Sequence, residues 1–305
     1  MRITAGIDVG STYTKAIVLD SENRILGRRL EPTGFKLDEV AENVLAQALA
    51  EAGVERSEVE YIVSTGFGRH QMASADTQVT DLTASARGAM FLFPGTRTVL
   101  DVGGQTMKAS RLDSTAAVKS FRLNDKCAAG TGAFLEKTAR YMGYSTIEIG
   151  PLVNTSKSAV PISGVCAVFA ESEVINQLSE GTPPADIMHG AIVSLVGRSV
   201  QLMKRAQMEP EFTLLGGIMR FEKMVTVVRE QLGEQVNVPE GDLVQFTSAL
   251  GAALLGQLRL QRLAEAAAAA AAGPNAAAAA AAGPDAAASA STSPPDSIAL
   301  GASGA

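Results

Sequence analysis

Two cysteines, Cys127 and Cys166, are the only thiols among the 305 residues of this chain. Each stands just ahead of a predicted helix, in the glycine- and alanine-rich segments DKCAAGTG and GVCAVFAE. Free N–H groups and the dipole at the start of a helix stabilise a thiolate. Two thiolates are too few for a four-iron cluster, but two chains together supply four. The pair therefore indicates either a cluster shared between two subunits or two buried, inert thiols.

Two turns combine an acid at the end of an apolar segment with one or two glycines. Glycine N–H groups can close on phosphate oxygens while a carboxylate holds Mg²⁺ through water. Lys15 and Lys108 follow these turns and could offer charge to the same phosphates, or could lie solvated on a surface hairpin. The candidate residues of the two turns are Asp8, Gly10, Ser11, Thr12, Asp101, Gly103, Gly104 and Gln105.

A third glycine turn, Gly216-Gly217, follows the apolar segment FTLL. The stretch TVLDVGGQTMKASRL at 98–112 also repeats the design of residues 2–20, with an apolar strand, an acid, a glycine turn and a return strand. This weak internal duplication, together with three glycine turns, predicts a nucleotide-binding protein built from two similar halves.

The size and charge of the chain exclude some classes of protein. A net charge of −6 with 19% charged residues gives no basic face for nucleic acid. No run of bulky apolar residues approaches the roughly 20 needed to cross a bilayer. The first residues, MRITAGIDVG, have no signal-peptide pattern. We therefore expect a cytoplasmic, reduced protein without disulfides.

Hydrophobic periodicity and glycine turns predict the order of elements. We expect a first lobe over 1–95, which the C-terminal helix would complete, a second lobe over 96–263 that carries the cysteines, and a disordered alanine-rich tail over 264–305. The predicted elements are hairpins at 2–20 and 98–112, strands at 60–68 and 212–220, and helices at 44–53, 186–206 and 248–263.

This α/β arrangement resembles the acetate and sugar kinase/Hsp70/actin superfamily. The resemblance implies two duplicated ribonuclease-H-like lobes around a nucleotide cleft. The turns at Asp8 and Asp101 would contact phosphates, and the loop at Gly216 and Gly217 would lie against the adenosine. Gln105 would lie near the γ-phosphate and orient the attacking water, or simply contribute ordinary loop polarity.

A more specific resemblance rests on seven motifs in order: GIDVGSTYTK, STGFGR, DVGGQTMK, NDKCAAGTGAFLE, ISGVCAVFAESEVI, LLGGI and SALGAALLG. They resemble the BadF/BadG/BcrA/BcrD-type ATPases, which include 2-hydroxyacyl-CoA dehydratase activators and benzoyl-CoA reductase subunits. The resemblance covers residues 1–260. It implies ATP, Mg²⁺ and one [4Fe–4S] cluster bridging two subunits, with Cys127 and Cys166 at the ligand positions.

Two functions within this family remain open. We expect an electron-transfer subunit of an ATP-dependent benzoyl-CoA reductase in anaerobic aromatic degradation. It would work with a related ATPase subunit, substrate-binding CoA-ester reductase subunits and ferredoxin as the electron donor. The alternative is a stand-alone activator of a 2-hydroxyacyl-CoA dehydratase, and a small-molecule kinase is more remote. Activators usually read GGQD where this chain has Gln105 followed by Thr106. The stretches DVGGQTMKASR, ARYMGYSTIEIGPL and ADIMHGAIVSLVGRSVQLMKR resemble the reductase subunits more, which favours the reductase.

Four other polar residues have simpler interpretations. His70 and His189 lie at no metal-ligand spacing, which predicts structural or solvated roles. Glu171 and Glu173 begin a predicted helix, where acids favour the helix dipole. Contact with a partner subunit is the alternative for these two acids.

Overall fold

The computed structural model describes residues 2–125, 127, 130–163 and 167–271. Two five-stranded sheets form its framework. The first has the strand order β3-β2-β1-β4-β5 and the second has the order β10-β9-β6-β7-β8. The strands are β1 Ile3–Val9, β2 Tyr13–Leu19, β3 Ile25–Pro32, β4 Val59–Thr65, β5 Thr77–Gln78, β6 Thr98–Val102, β7 Met107–Leu112, β8 Val118–Asn124, β9 Phe212–Leu215 and β10 Val236–Asn237.

Counted from its own first strand, each sheet has the order 3-2-1-4-5. In each, the first three strands pair antiparallel, and the fourth and fifth join in parallel. The weak sequence duplication therefore corresponds to two sheets of the same topology. Both predicted hairpins form, with β1 paired to β2 and β6 paired to β7.

Eight α-helices pack on or extend from these sheets in the described part of the chain. They are α1 Leu37–Ala52, α2 Asp81–Leu92, α3 Gly132–Tyr141, α4 Ile149–Asn154, α5 Ala167–Ser179, α6 Pro184–Arg205, α7 Glu222–Leu232 and α8 Leu243–Ala271. Within the residues described, no helix combines the length and apolar character needed to cross a membrane.

The helix predictions differ from the structure mainly at their ends. The helix predicted at 44–53 begins earlier, at Leu37, because its first turn is polar and acidic and gives a weak apolar signal. The helix predicted at 248–263 runs from Leu243 to Ala271. Its C-terminal extension is almost pure alanine, the strongest helix former. The rest of the predicted disordered tail, 272–305, lies outside the described residues.

Residues 1–258 form one compact unit, and Arg259 begins a second. In the first unit, the two faces of the first sheet are covered by different helices. Ile7 and Val18 pack with α1, whereas Ile17 and Leu19 pack with α8. The small residues of α8 allow close approach, since a Cβ at Gly6 would lie only 2.0 Å from the carbonyl oxygen of Ala249. The predicted lobe boundaries remain predictions.

The second sheet packs its core against α3 and α6. Leu100 on β6 and Met107 on β7 are buried with Leu135 of α3 and Leu195 of α6. Because the polar turns lie directly at the ends of these buried strands, the core fixes the strands and the strands fix the turns.

Candidate nucleotide-binding site

A cavity of about 710 Å³ lies at the glycine turns of both hairpins. The structure brings together every residue that the sequence predicted for nucleotide binding. These are Asp8, Gly10, Ser11, Thr12, Lys15, Asp101, Gly103, Gly104, Gln105, Gly216 and Gly217. Their convergence on one concave surface is the geometry that a nucleotide requires.

In the hairpin β1–β2, the acid of the first strand pairs with the lysine of the second. Asp8 lies directly opposite Lys15 in the strand register. The Lys15 Nζ is 2.9 Å from Asp8 Oδ2, and the two side chains are 16% and 12% exposed. Gly66, at φ +89°, closes over this acid, since a Cβ there would lie 2.4 Å from Asp8 Oδ1. Lys15 is therefore a buried partner of Asp8 and is not a solvated surface lysine.

The hairpin β6–β7 repeats this register but not this ion pair. Asp101 lies opposite Lys108, yet Lys108 Nζ pairs with the carboxylate of Asp81, the first residue of α2. In the described part of the chain no ion pair reaches Asp101, whose Oδ2 accepts a long 3.5 Å hydrogen bond from Ser85 Oγ. The second acid is thus left with a nearly free carboxylate.

Burial and neighbouring charges perturb this second pair. Burial raises the pKa of Asp101, the charge of Lys108 opposes the rise, and the charges of Asp81 and Asp8 add to it. Burial acts to lower the pKa of Lys108, but the charges of Asp101 and Asp81 outweigh it and raise that pKa. A bound cation would relieve the crowding of negative charge around Asp101.

The two phosphate turns touch each other. A Cβ at Gly104 would lie 2.3 Å from Thr12 Oγ1, so only glycine fits there without a shift. The Thr12 Oγ1 is itself buried and has no hydrogen-bond partner among the residues described. Unpartnered buried hydroxyls are uncommon in folded proteins. This one lines the cavity and fits a ligand that offers an oxygen or a proton.

The third turn closes against the end of β6. Gly216 has φ +102°, and a Cβ there would lie 2.1 Å from the carbonyl oxygen of Val102. Its N–H donates to the carbonyl oxygen of Val244 at 3.1 Å. Glycine is therefore required here both by the backbone conformation and by the close approach.

The carboxylates of the cavity fit magnesium that is bound together with phosphate. Asp8, Asp81 and Asp101 surround the two lysines and leave one carboxylate in excess. Among the described residues, no three His, Cys, Asp or Glu side chains are grouped so as to hold a metal ion directly. The arrangement therefore suits a hard cation held through water and phosphate oxygens, which is how Mg²⁺ is usually bound.

The free thiol of Cys127 is partly exposed and is held from two sides. Arg198 Nη1 on α6 lies 3.4 Å from its sulfur. The side chain of Asn124 accepts from the Cys127 N–H at 3.2 Å and donates to the Cys127 carbonyl oxygen at 3.0 Å. An accessible sulfur beside a guanidinium fits a thiolate that binds an anionic iron–sulfur cluster. Cys166 lies outside the described residues.

The structure corrects the prediction that a helix terminus stabilises the Cys127 thiolate. Helix α3 begins only at Gly132. The N–H groups of Gly132 and Ala133 donate to the carbonyl oxygens of Gly103 and Gly104, at 2.9 and 2.8 Å. Because the second phosphate turn occupies these donors, the positive group that serves Cys127 is the Arg198 guanidinium.

The acids of α5 have partners within the chain. Glu171 binds Lys137 at 2.7 Å and also accepts a hydrogen bond from Tyr141, so it ties α5 to α3. Glu173 accepts from the backbone N–H of Ser163. Helix α5 starts at Ala167 and has no acid in its first turn, so the prediction that these two acids favour the helix dipole was wrong.

The two histidines also have partners in this structure. His70 Nδ1 lies 2.6 Å from Gln78 Oε1, and His189 Nδ1 lies 3.0 Å from Ser156 Oγ. Burial and the charge of Lys223 lower the pKa of His189. Both rings make local polar contacts, as expected for structural residues.

Sequence reasoning missed Asp81 and Arg198. Asp81 follows Thr80, whose Oγ1 accepts from the N–H of Thr83, so the segment TDLT is recognisable as a helix start. Nothing in the sequence links that start to Lys108. Arg198 stands 71 positions from Cys127, so only the packing of α6 reveals their contact.

The doubled sheet order and the glycine-rich cavity define the actin/Hsp70/sugar kinase fold. A ROK-family glucokinase from Streptomyces griseus, solved with glucose and AMPPNP, is similar with a TM-score of 0.52 at 16% identity, covering 84% of this chain and 99% of its own. At that identity the likeness concerns the fold alone.

The chain belongs to the BadF/BadG/BcrA/BcrD ATPase family, whose sequence profile matches residues 5–256. It is 37% identical to the 2-hydroxyisocaproyl-CoA dehydratase activator of Clostridioides difficile, over 82% of this chain and 93% of the relative. It is 35% identical to a benzoyl-CoA reductase subunit of Thauera aromatica, over 87% and 96%. The solved activator from Clostridium difficile with bound ADPNP gives a TM-score of 0.81 at 35% identity, covering 86% of this chain and 97% of its own.

Proposed function

We propose that this chain is the ATP-hydrolysing activator of a 2-hydroxyacyl-CoA dehydratase. The observation that carries the proposal is its near full-length similarity to such activators, in sequence and in structure. This similarity favours the alternative from the sequence over the benzoyl-CoA reductase subunit that we expected first. The reductase-like stretches cover only part of the chain, and the match to activators over 82% of it outweighs them.

In the proposed reaction a water oxygen attacks the γ-phosphorus, and the bond to the β–γ bridging oxygen breaks to release ADP and phosphate. Mg²⁺ supplies charge neutralisation on the phosphates when it is bound. Lys15, fixed by Asp8, offers charge to the phosphates. Asp101 accepts the hydrogen bond and then the proton of the attacking water, and Gln105 at the exposed rim orients that water.

The proposed electron-transfer role belongs to a pair of chains. Each copy supplies Cys127 and Cys166, so that two copies hold one [4Fe–4S] cluster, which provides one-electron transfer when bound. Arg198 keeps the Cys127 sulfur oriented through its 3.4 Å contact. A reduced ferredoxin is the proposed electron donor, and the dehydratase component is the acceptor.

The proposed coupling uses the hinge that this fold provides. A nucleotide in the cavity contacts turns from both sheets, so a change from ATP to ADP alters how the turns approach each other. Such a change would alter the fit of the pair to its acceptor and make electron transfer directional. The chemistry on the CoA ester takes place on the partner protein.

Anaerobic purification tests the proposal. The protein should be brown, should contain about four iron atoms and four sulfides per two chains, and should hydrolyse ATP. With a reductant, ATP and a dehydratase component, it should start dehydration of a 2-hydroxyacyl-CoA. Cys127→Ser should remove the colour, whereas Glu39→Gln, an exposed acid of α1, should not. A colourless wild-type protein would exclude the cluster, and inability to start dehydration would exclude the activator.

A benzoyl-CoA reductase component is the second candidate, because the relative from Thauera aromatica matches almost as well. The two candidates differ in how they hold their partner. A reductase component should stay bound to substrate-binding subunits through purification and support ATP-dependent reduction of benzoyl-CoA. A stand-alone activator should purify without them.

A further inference from the structure

Asp81 has no role in the reaction described above, yet it lies in the cavity beside Lys108. Its carboxylate is fixed at the start of α2. One oxygen accepts from the N–H of Leu82 at 2.9 Å, and the other pairs with Lys108 Nζ. Asp81 is therefore an anchored anion and holds the lysine ammonium in one place.

Helix α2 separates the two members of the second Asp–Lys pair. Asp81 and Ser85 are four positions apart, so they lie on the same face of the helix. Asp81 pairs with Lys108, while Ser85 Oγ reaches Asp101. Ser85 is also held by Ser248 Oγ at 2.8 Å. Two residues of one helix face thus draw the lysine and the aspartate to different partners.

The first hairpin shows what happens without such a helix. There, at the same strand register, the one ion pair that Lys15 makes in the described structure is with Asp8, at 2.9 Å. Without Asp81, Lys108 would be drawn to Asp101 by the same register and the same attraction. An ammonium on Asp101 would compete with magnesium and with the attacking water.

We propose that Asp81 is a positioning residue for ATP hydrolysis, which holds Lys108 away from Asp101 and so keeps the Asp101 carboxylate available to magnesium and water. The inference rests on the ATP-hydrolysing function proposed above, but it does not depend on which CoA ester the partner uses. In this role Asp81 acts through Lys108.

The decisive experiment is a mutant cycle on the full chain, in which Asp81→Asn, Lys108→Met and the double variant are compared by steady-state ATP hydrolysis. Asp81→Asn should lower kcat about tenfold, the equivalent of losing one charge-assisted contact, with a smaller change in KM. The double variant should regain most of that kcat, because no ammonium remains to block Asp101. A purely structural role for Asp81 predicts no recovery.

Nucleotide binding gives a second readout that does not depend on turnover. Isothermal titration calorimetry should show that wild-type protein prefers Mg·ADP to metal-free ADP, and Asp81→Asn should reduce this preference about fivefold or more. Asp81→Glu keeps a carboxylate beside Lys108 and should retain most of both properties. If Asp81→Asn does not fold, Asp81→Glu and Lys108→Met still decide. The proposal requires that Lys108→Met changes KM by a larger factor than it changes kcat.

Glu39→Gln is the matched control. Glu39 lies in the first turn of α1 and its carboxylate pairs with Lys36 Nζ at 2.6 Å. It does not line the cavity that contains Asp101. It should leave kcat and the magnesium preference unchanged. Equal kcat for Asp81→Asn and wild type, or a double variant as slow as Asp81→Asn, would overturn the inference. A wild-type protein that hydrolyses no ATP would instead overturn the proposed function.

Discussion

The hairpins β1–β2 and β6–β7 share a sequence pattern, a strand register and a place in the cavity, but they distribute charge differently. Asp8 is neutralised within its own hairpin by Lys15. The lysine opposite Asp101, Lys108, pairs instead with Asp81 on α2. Duplicated turns that look equivalent in sequence can therefore carry different chemistry, because each is completed by a different helix.

This difference is the basis for proposing separate tasks for the two acids. The Asp8–Lys15 ion pair is fixed in place and has no net charge, so it is suited to orienting phosphates. A carboxylate with one long hydrogen bond and a raised pKa can take up a cation or a proton. The four sets of substitutions below test this comparison, in order of decreasing expected effect.

Removal of the Asp101 carboxylate should have the largest effect. Asp101→Asn should lower kcat for ATP hydrolysis about 100-fold, the usual loss when a proton acceptor is removed. Asp8→Asn should lower it only about tenfold, since the charge of Asp8 is already compensated. Steady-state kinetics on both variants measures the ratio, and equal losses would contradict the division of tasks.

Removing the lysine of each hairpin should lower the free energy of unfolding by different amounts. Lys15→Met leaves Asp8 buried without a partner and should lower the free energy of unfolding by about 3 kcal/mol. Lys108→Met should cost about 1 kcal/mol. The reason is that Asp81 is 25% exposed at a helix start and that Asp101 makes no ion pair with Lys108 in the described residues. Urea unfolding of the nucleotide-free protein gives both values, and a larger cost at Lys108 would reverse the comparison.

Two glycines in identical Thr-Gly-Phe tripeptides test how tightly Asp8 is enclosed. Gly34 and Gly66 both have positive φ, at +61° and +89°. No described atom lies within 4 Å of a Cβ at Gly34, whereas a Cβ at Gly66 would strike Asp8. Gly34→Ala should cost about 1 kcal/mol from backbone strain alone. Gly66→Ala should cost clearly more in the same urea titration, and similar costs would show that the turn over Asp8 is loose.

The Thr12 hydroxyl should have the smallest effect, with opposite signs for stability and binding. Thr12→Val removes a buried Oγ1 that lacks a described partner, so the free energy of unfolding should stay equal or rise slightly. Binding of ADP should weaken about five- to tenfold if the hydroxyl bonds the nucleotide. Calorimetry and urea unfolding on one preparation give both results, and a loss of stability without a loss of affinity would place the hydroxyl outside the ligand site.

The sequence predicted the parts of the site that are local. Asp8 and Lys15 lie in one hairpin, where an apolar strand, a glycine turn and a return strand determine their register. Gly216 likewise follows its strand directly. These features depend on residues close together in the chain, so their pattern is visible without a structure.

Contacts between distant segments could not be predicted. The partner of Lys108 is the acid that begins α2, and the partner of Cys127 comes from α6. Which acid or cation reaches a group depends on how helices pack, and a single sequence does not encode that in any local pattern. The prediction that a helix terminus serves Cys127 was wrong for the same reason.

The two backbone hydrogen bonds between the second phosphate turn and the start of α3 have a mechanical consequence. Gly103 and Gly104 accept from Gly132 and Ala133, while Asn124, at the end of β8, holds the backbone of Cys127. The thiol-bearing segment is thus linked to the second glycine turn through the start of α3 and to the second sheet through the end of β8. If a phosphate binds at that turn, its departure should change the hydrogen bonds of Gly103 and Gly104 and so reach the cysteine segment through α3.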